Sequence, residues 1–290
     1  EDNQDLTMEI TLDKISQFET ENYWKLPDKD LIIFKPYFNE SFDKFYDIIK
    51  NYNRLMFFNY RELNKNSQIA NTLEINKYRH IKTRFNQPIK IPNHLISVIF
   101  DYYFNQPIEL TETLSLNELI FGESYNHPII IIGKIKLEHL TFGYKFNQVF
   151  SLDNFPNLKY LKFGNGFKNT FIFTQNNVLT TLIFGKRFNQ NVNFDDAQLL
   201  EHLTFGENFD KQVNLDRCIS LKSLIFGSKF NQPIELYNNN LKILTFGDSF
   251  NNYVQFIGEI NLTHLSFEKN FNQTIELPKT LKFLKIAIHD

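Results

Sequence analysis

Three of the seven histidines occupy matched positions, each immediately before a leucine: His139, His202 and His264. Imidazoles gathered in this way would suit a zinc ion, which nitrogen ligands hold at about 2.1 Å. The intervals are 63 and 62 residues, three units of a repeat near 21. At about 4.8 Å between neighbouring strands, three units separate successive histidines by roughly 14 Å. They read as solvated strand residues and not as one metal site. Glu138 and Glu201 share a column at the same separation, with no base beside them. Asp195 and Asp196 are adjacent in a variable loop. There is no G-x-S-x-G elbow, Walker loop or G-x-G-x-x-G, and the glycines of FGNGF at 163–167 fall at repeat turns. Cys218, beside Arg217, is a lone loop thiol. No catalytic, cofactor or metal set emerges, so the chain reads as a non-enzyme.

These residues are positioned by a repeated phrase. LEHLTFGYKFNQVF returns as LTTLIFGKRFNQNV, LKSLIFGSKFNQPI and LKILTFGDSFNNYV. The Phe of the Phe-Asn pair, or its substitute, recurs at Phe85, Phe104, Tyr125, Phe146, Phe167, Phe188, Phe209, Phe230, Phe250 and Phe271. A leucine column runs from Leu119 to Leu284 and a glycine column from Gly122 to Gly247, broken by Glu268. A fixed period near 20 residues specifies stacked coils and is too short for paired-helix repeats. In L-x-x-L-x-F-G the last leucine and the phenylalanine alternate about an exposed residue, as a half-buried strand requires. The expectation is about ten coils of ~21 residues, their strands pairing in parallel, with a stack on the order of 45–50 Å long. The strand Leu and Phe face inward, and the second Phe fills the opposite side of the coil. The glycine turns the chain at positive φ. The Asn after the second Phe satisfies backbone groups at the bend, with Lys168 and Asp210 interrupting that column. Pro107, Pro128 and Pro233 keep the following stretch extended.

The bulk numbers agree with a large core and mixed surface. The chain has 290 residues, a net charge of −2 and 32 phenylalanines. No basic block suggests nucleic acid and no apolar run is long enough to span a membrane. No signal peptide shows at the start. The single cysteine cannot form an internal disulfide, which fits a reducing, cytoplasmic setting. The polar stretch EDNQDLT ahead of Met8 reads either as part of a longer native chain or as an added sequence.

FNQPI at 85–89, 104–108 and 230–234, joined to L-x-x-L-x-F-G, resembles the FNIP repeat, a relative of leucine-rich repeats found in social amoebae and giant DNA viruses. The resemblance covers residues 81–290. It implies a leucine-rich-repeat-like solenoid and a protein-interaction role, in the host cytoplasm if the source is viral, and it supplies no catalytic residues.

Residues 1–80 lack the period and read as a separate, mostly α-helical segment, either a cap on the solenoid or a divergent F-box. Phe42, Phe45, Ile49, Tyr52 and Met56 make a helical stripe within 41–60, with Ser41 as N-cap. Residues 25–38 read as a short helix opened by Pro27 and stopped before Pro36. The first repeat is degenerate: Ile81 takes the strand-Phe place before Phe85, and Asn76 and Arg79 stand where leucines belong. LPDKDLIIFKPYF is similar to the opening of an F-box. That resemblance implies that Leu26, Pro27, Leu31 and Phe34 bind a Skp1-like adaptor of a ubiquitin ligase, although the later part of the motif is missing.

The candidate partner-binding face is the outward side of the strands. One column reads His139, Tyr160, Thr181, His202, Ser223, Ile243 and His264. The other contains Ile183, Thr204 and Ile225, with Lys162 nearly its only charge. The leading expectation is recognition of a protein partner, including a host protein or a ligase substrate, with no nucleic-acid or membrane partner. The alternative is a structural scaffold that self-associates, for which the unfinished strand pattern of LKFLKIAIHD offers a C-terminal edge.

Overall fold

The computed structural model describes residues 20, 22–26, 28, 30–65, 73, 75–78, 80, 81, 83–174, 177–237 and 240–287. Pro27, Arg79 and residues 1–7 lie outside them.

From Leu119 to Leu265 each L-x-F alternation becomes a short strand with its central leucine fully buried and its two neighbours facing out. These strands and five others form one sheet of thirteen in chain order: Tyr23–Leu26, Leu31–Phe34, Arg54–Phe57, Ser97–Ile99, Glu118–Ile120, His139–Thr141, Tyr160–Lys162, Thr181–Ile183, His202–Thr204, Ser223–Ile225, Ile243–Thr245, His264–Phe267 and Phe283–Ile286. The first two pair antiparallel. All later neighbours are parallel and in register, Leu140 beside Leu161 beside Leu182, so the chain rises through about eleven stacked coils. Three two-stranded sheets brace the opposite side, among them Glu109–Thr111 with Ile130–Ile132.

The core is a double column of rings. Phe142, Phe163 and Phe184 are buried and lie 5.7 Å apart, within 10° of parallel. The second Phe does not fill the far side of the coil, as its position suggested. It stacks face to face on the strand Phe of its own coil, Phe146 at 3.6 Å from Phe142 and Phe188 at 3.8 Å from Phe184. The far side is filled by a third apolar set, including Leu152, Phe155, Phe194, Ala197, Leu215 and Cys218. Burial pushes the Cys218 thiol up to about 12, leaving it a packing residue.

The bend after each second Phe is tied by an asparagine ladder. The Asn147 amide N–H donates to Asn126 Oδ1 at 2.9 Å, and the Asn126 N–H donates to Asn105 Oδ1 at 2.9 Å. Asp210 keeps the ladder, accepting from the Asn231 N–H at 2.9 Å. Lys168 donates its own N–H to Asn147 Oδ1 at 2.9 Å but carries no side-chain acceptor for the coil above.

The glycine column has a different cause from the expected turn. Only Gly133 and Gly258 have positive φ among the described glycines. A Cβ on Gly143 would stand 1.9 Å from the Gly122 carbonyl oxygen, and one on Gly164 would stand 2.1 Å from that of Gly143. Adjacent coils touch backbone to backbone here, and only glycine leaves room.

Among the described residues of the first eighty, helix is confined to short turns. Tyr23–Leu26 and Leu31–Phe34 pair antiparallel as a β-hairpin in place of the expected helix, with Asp30 at φ 52 just before the second strand. The Asp30 carboxylate accepts from the Asn53 backbone N–H at 2.9 Å and side-chain amide at 2.7 Å. The 41–60 stripe is helical only over Phe42–Phe45, as a 3-10 turn, and Tyr46–Ile49; Ser41 makes no capping bond, and Arg54–Phe57 is a strand. The sheet runs through the 80/81 boundary without a break.

IIFKPYFN at 32–39 is itself a coil. Phe34 and Phe38 lie 4.3 Å apart with their rings tilted by 38°, Phe38 stacks 5.6 Å from Phe85, and Asn39 Oδ1 accepts from the Asn86 N–H at 3.1 Å. Phe57, not Ile81, is the strand partner of Phe85, at 3.9 Å. The intervening residues are an insertion. Leu31 and Phe34 are therefore core residues, at 5% and 0% exposure, and Leu26 is half-buried at a strand end. The hairpin replaces the helical F-box opening.

Candidate functional site

The outward column of the sheet can be followed from end to end. It runs Ile33, Met56, Ile99, Ile120, Thr141, Lys162, Ile183, Thr204, Ile225, Thr245, Ser266, each beside the next. Its first members do not face solvent. The insertion after Phe57 folds back over them, with a helix at Tyr60–Asn64 and a 3-10 turn at Ile75–Tyr78. Trp24, Phe58, Leu63, Leu73 and Ile75 bury Ile33, Met56 and Ile99 in a second, smaller core. Asn59 fixes the fold-back: its Oδ1 caps the helix by accepting from the Glu62 N–H at 3.2 Å, and its Nδ2 reaches the Phe100 carbonyl at 3.4 Å. Asp101 receives the returning chain, its Oδ2 accepting from the Thr83 N–H at 3.3 Å. Burial raises the Asp101 carboxyl to about 6, against the hydrogen bonds from Thr83 and with help from nearby Glu123.

Beyond Ile120 the face is open. The structure brings His139, Tyr160, Thr181, His202, Ser223, Ile243 and His264 into one unbroken column ending at Phe283. Ile183, Thr204 and Ile225 lie in the adjacent one. The His139 and Tyr160 rings stack at 5.8 Å, and His264 lies 5.7 Å from Phe283. Ile243 and Phe283 are exposed at 41% and 49%. Burial raises the Tyr160 hydroxyl, and Lys65 and Glu62 of the insertion lie near enough to act on it. The insertion is thus a wall at the N-terminal margin of the open face. The histidines fall three strands apart, as expected.

A line of charge flanks the column, one residue before each strand. Lys159 pairs with Glu138 at 2.9 Å and Lys222 with Glu201 at 2.7 Å. Lys159 holds the Glu138 carboxyl below the usual carboxylate range. At the same place Thr180 and Thr263 donate to the carbonyls of Lys159 and Lys242, both at 3.0 Å. Ring stacking, ion pairs and hydroxyl ties fix most of this surface before any partner arrives. Such an arrangement can present side chains along a continuous face; Thr263 Oγ1 also lies 2.9 Å from His264 Nδ1, while its hydroxyl donates to the Lys242 carbonyl.

A second depression, at the polar bend, is lined by Arg187, Asn189, Asn208, Asp210, Lys229 and Asn231. Asp210 Oδ1 is already occupied by the Asn231 N–H and by Gln232 Nε2, both at 2.9 Å, so the groove is ladder, not site. Sequence reading missed the covered part of the face. Its signal was present in IIF at 32–34, LMF at 55–57 and VIF at 98–100, hidden because the insertion breaks the period.

A family model for the FNIP Repeat matches residues 85–110 and 135–166. No curated protein matches the chain. Among solved structures the chain is similar to CroV588, described as a novel circular LRR protein, with 22% identity and a TM-score of 0.33. The likeness covers 92% of this chain and 61% of that one. The chain therefore spans about three fifths of that protein's length. It is a repeat solenoid whose segments 85–110 and 135–166 are similar to the FNIP Repeat.

Proposed function

We propose that the open sheet face, from His139 to Phe283, binds a protein partner. One observation carries this reading. One outward column is shielded by an insertion over Ile33, Met56 and Ile99 and is left open beyond Ile120, where its Ile183 and Ile225 stand beside Tyr160, Ile243 and Phe283 of the neighbouring column. Pre-ordered surfaces that mix aromatic, aliphatic and polar groups suit protein recognition. Nothing in this reading requires a Skp1-like adaptor. A ligase role would need Leu31 and Phe34 to leave the core, and mixing the protein with purified Skp1 tests it by co-elution.

The test of the face compares capture by three proteins: wild type, Tyr160→Ala with Ile183→Asp, and Val149→Asp with Ile172→Asp on the opposite surface. Partners held by wild type and by the opposite-surface variant, but lost by the face variant at unchanged melting temperature, support the proposal. Loss from the opposite-surface variant alone refutes it.

A second reading is self-association through the strand Phe283–Ile286. Leu284 and Ile286 continue the buried columns of Leu265 and Phe267 but are 39% and 43% exposed. Mass by light scattering that rises with concentration, and falls back in Leu284→Lys, supports this reading; a constant monomer mass removes it.

A further inference from the structure

The charge on the open face differs from the charge on the chain. Over the eight strands from His139–Thr141 to Phe283–Ile286, the two outward columns and the flanking line contain six lysines, Lys159, Lys162, Lys222, Lys242, Lys282 and Lys285, against two glutamates, Glu138 and Glu201. The whole chain is net −2, so its acidic groups have been placed elsewhere. Both glutamates of the face are already paired with lysines, and Lys285 is held by Glu268 at 2.6 Å from the turn beyond the strand. Among the described residues no carboxylate lies within ion-pair distance of Lys162, Lys242 or Lys282. Lys242 Nζ reaches only a backbone carbonyl, that of Asn261 at 3.4 Å. Between these cations stand Ile183, Ile225 and Ile243.

Resting on the reading above that this face is the docking surface, we propose that its partner is an acidic polypeptide segment in which carboxylate and aliphatic side chains alternate. The carboxylates meet Lys162, Lys242 and Lys282, and the aliphatic groups cover the three isoleucines. Lys162 and Lys282 are six strands apart, or about 29 Å, the span of roughly nine extended residues. A nucleic-acid strand fits the lysines and could stack on Tyr160 or Phe283, but it leaves Ile183, Ile225 and Ile243 under a hydrated backbone.

Fluorescence anisotropy on the full chain tests this with three labelled probes. They are a twelve-residue peptide alternating glutamate with valine and threonine, the same peptide with lysine for glutamate, and a twelve-nucleotide thymidine strand. The glutamate peptide is expected to bind, to weaken with added salt, and to lose at least tenfold in affinity to Lys162→Glu with Lys242→Glu at unchanged melting temperature. Both lysines are exposed, so the variant has no folding cost to confuse the reading. Equal or tighter binding of the lysine peptide or of thymidine overturns the acidic class. If Tyr160→Ala with Ile183→Asp weakens that binding, the face itself survives as a docking surface. Binding of none of the probes overturns this proposal alone, since the capture comparison decides the face independently.

Discussion

Gly164→Ala separates two explanations of the glycine column. Were the residue needed for positive φ, alanine would cost about 1–2 kcal/mol of backbone strain. The structure gives another cause. The new methyl would lie 2.1 Å from the Gly143 oxygen, 2.3 Å from its carbon and 2.8 Å from the Tyr144 nitrogen. All three are backbone atoms, so no rotamer relieves the contact. Reaching an ordinary separation opens the coil spacing locally by about 1 Å, on a strand rise where neighbours sit about 4.8 Å apart. That stretches the bond from Phe142 N–H to the Lys162 carbonyl at 2.8 Å and the one from Lys168 N–H to Asn147 Oδ1 at 2.9 Å, each worth about 1 kcal/mol. It also loosens the ring columns beside them. With an overpacking cost of about 1–3 kcal/mol, the total is about 3–5 kcal/mol. Gly258→Ala is the control: φ is +79 with nothing within 4 Å, so only strain remains, about 1–2 kcal/mol. Urea unfolding followed by circular dichroism reads both. A Gly164→Ala midpoint no lower than that of Gly258→Ala would refute the close-approach explanation.

Phe184→Ala removes a ring held between Phe163 and Phe205 and against Phe188; calorimetry should show a loss of about 3–5 kcal/mol, whereas a loss under 1 kcal/mol would mean that the column is not core. Lys168→Asn restores the absent acceptor beneath the Asn189 N–H, and a gain of about 0.5–1 kcal/mol in denaturant is expected, with a loss counting against the ladder. For Asp101 the folded pKa, about 6, lies above the ordinary 3.8. The protonated form is therefore favoured by folding. The contribution of Asp101 to stability is greatest below pH 3.8 and falls as pH rises to about 6, by up to about 3 kcal/mol. Asp101→Asn keeps the acceptor for the Thr83 N–H and should flatten that slope in unfolding curves taken from pH 3.5 to 7; an unchanged slope assigns it to other groups. Tyr125 replaces Phe in the ring column, and its buried hydroxyl has at most a weak contact with the Ile108 backbone N–H. Tyr125→Phe should therefore be neutral or stabilising by about 1 kcal/mol in thermal melts, and a clear loss would show that the hydroxyl is bonded.

What was legible followed from side-chain periodicity. Leu140, Phe142 and Phe146 recur with one spacing, and a spacing kept over many coils forces stacking. The outward column from His139 to His264 followed from the same alternation. What was not legible depended on contacts between coils or on an interrupted period. The second Phe lies four residues after the first in most coils, Phe142 to Phe146, but 28 after it from Phe57 to Phe85. That gap concealed two coils and suggested helices where Leu31–Phe34 and Arg54–Phe57 are strands. The glycine column looked like a turn because local sequence reports φ preferences, while the clash with the coil below exists only once the coils are stacked. The basic character of the face was missed because the two strand columns were read without the residue before them, where Lys159, Lys222, Lys242 and Lys282 stand.

If a partner binds the face left open beyond the insertion, its affinity depends on the side chains there. Titration calorimetry of a captured partner against wild type, Tyr160→Ala with Ile183→Asp, and Val149→Asp with Ile172→Asp measures that dependence. At least a tenfold loss of affinity is expected in the first variant and wild-type affinity in the second. Wild-type affinity in the first variant, with loss in the second, would place binding on the opposite surface.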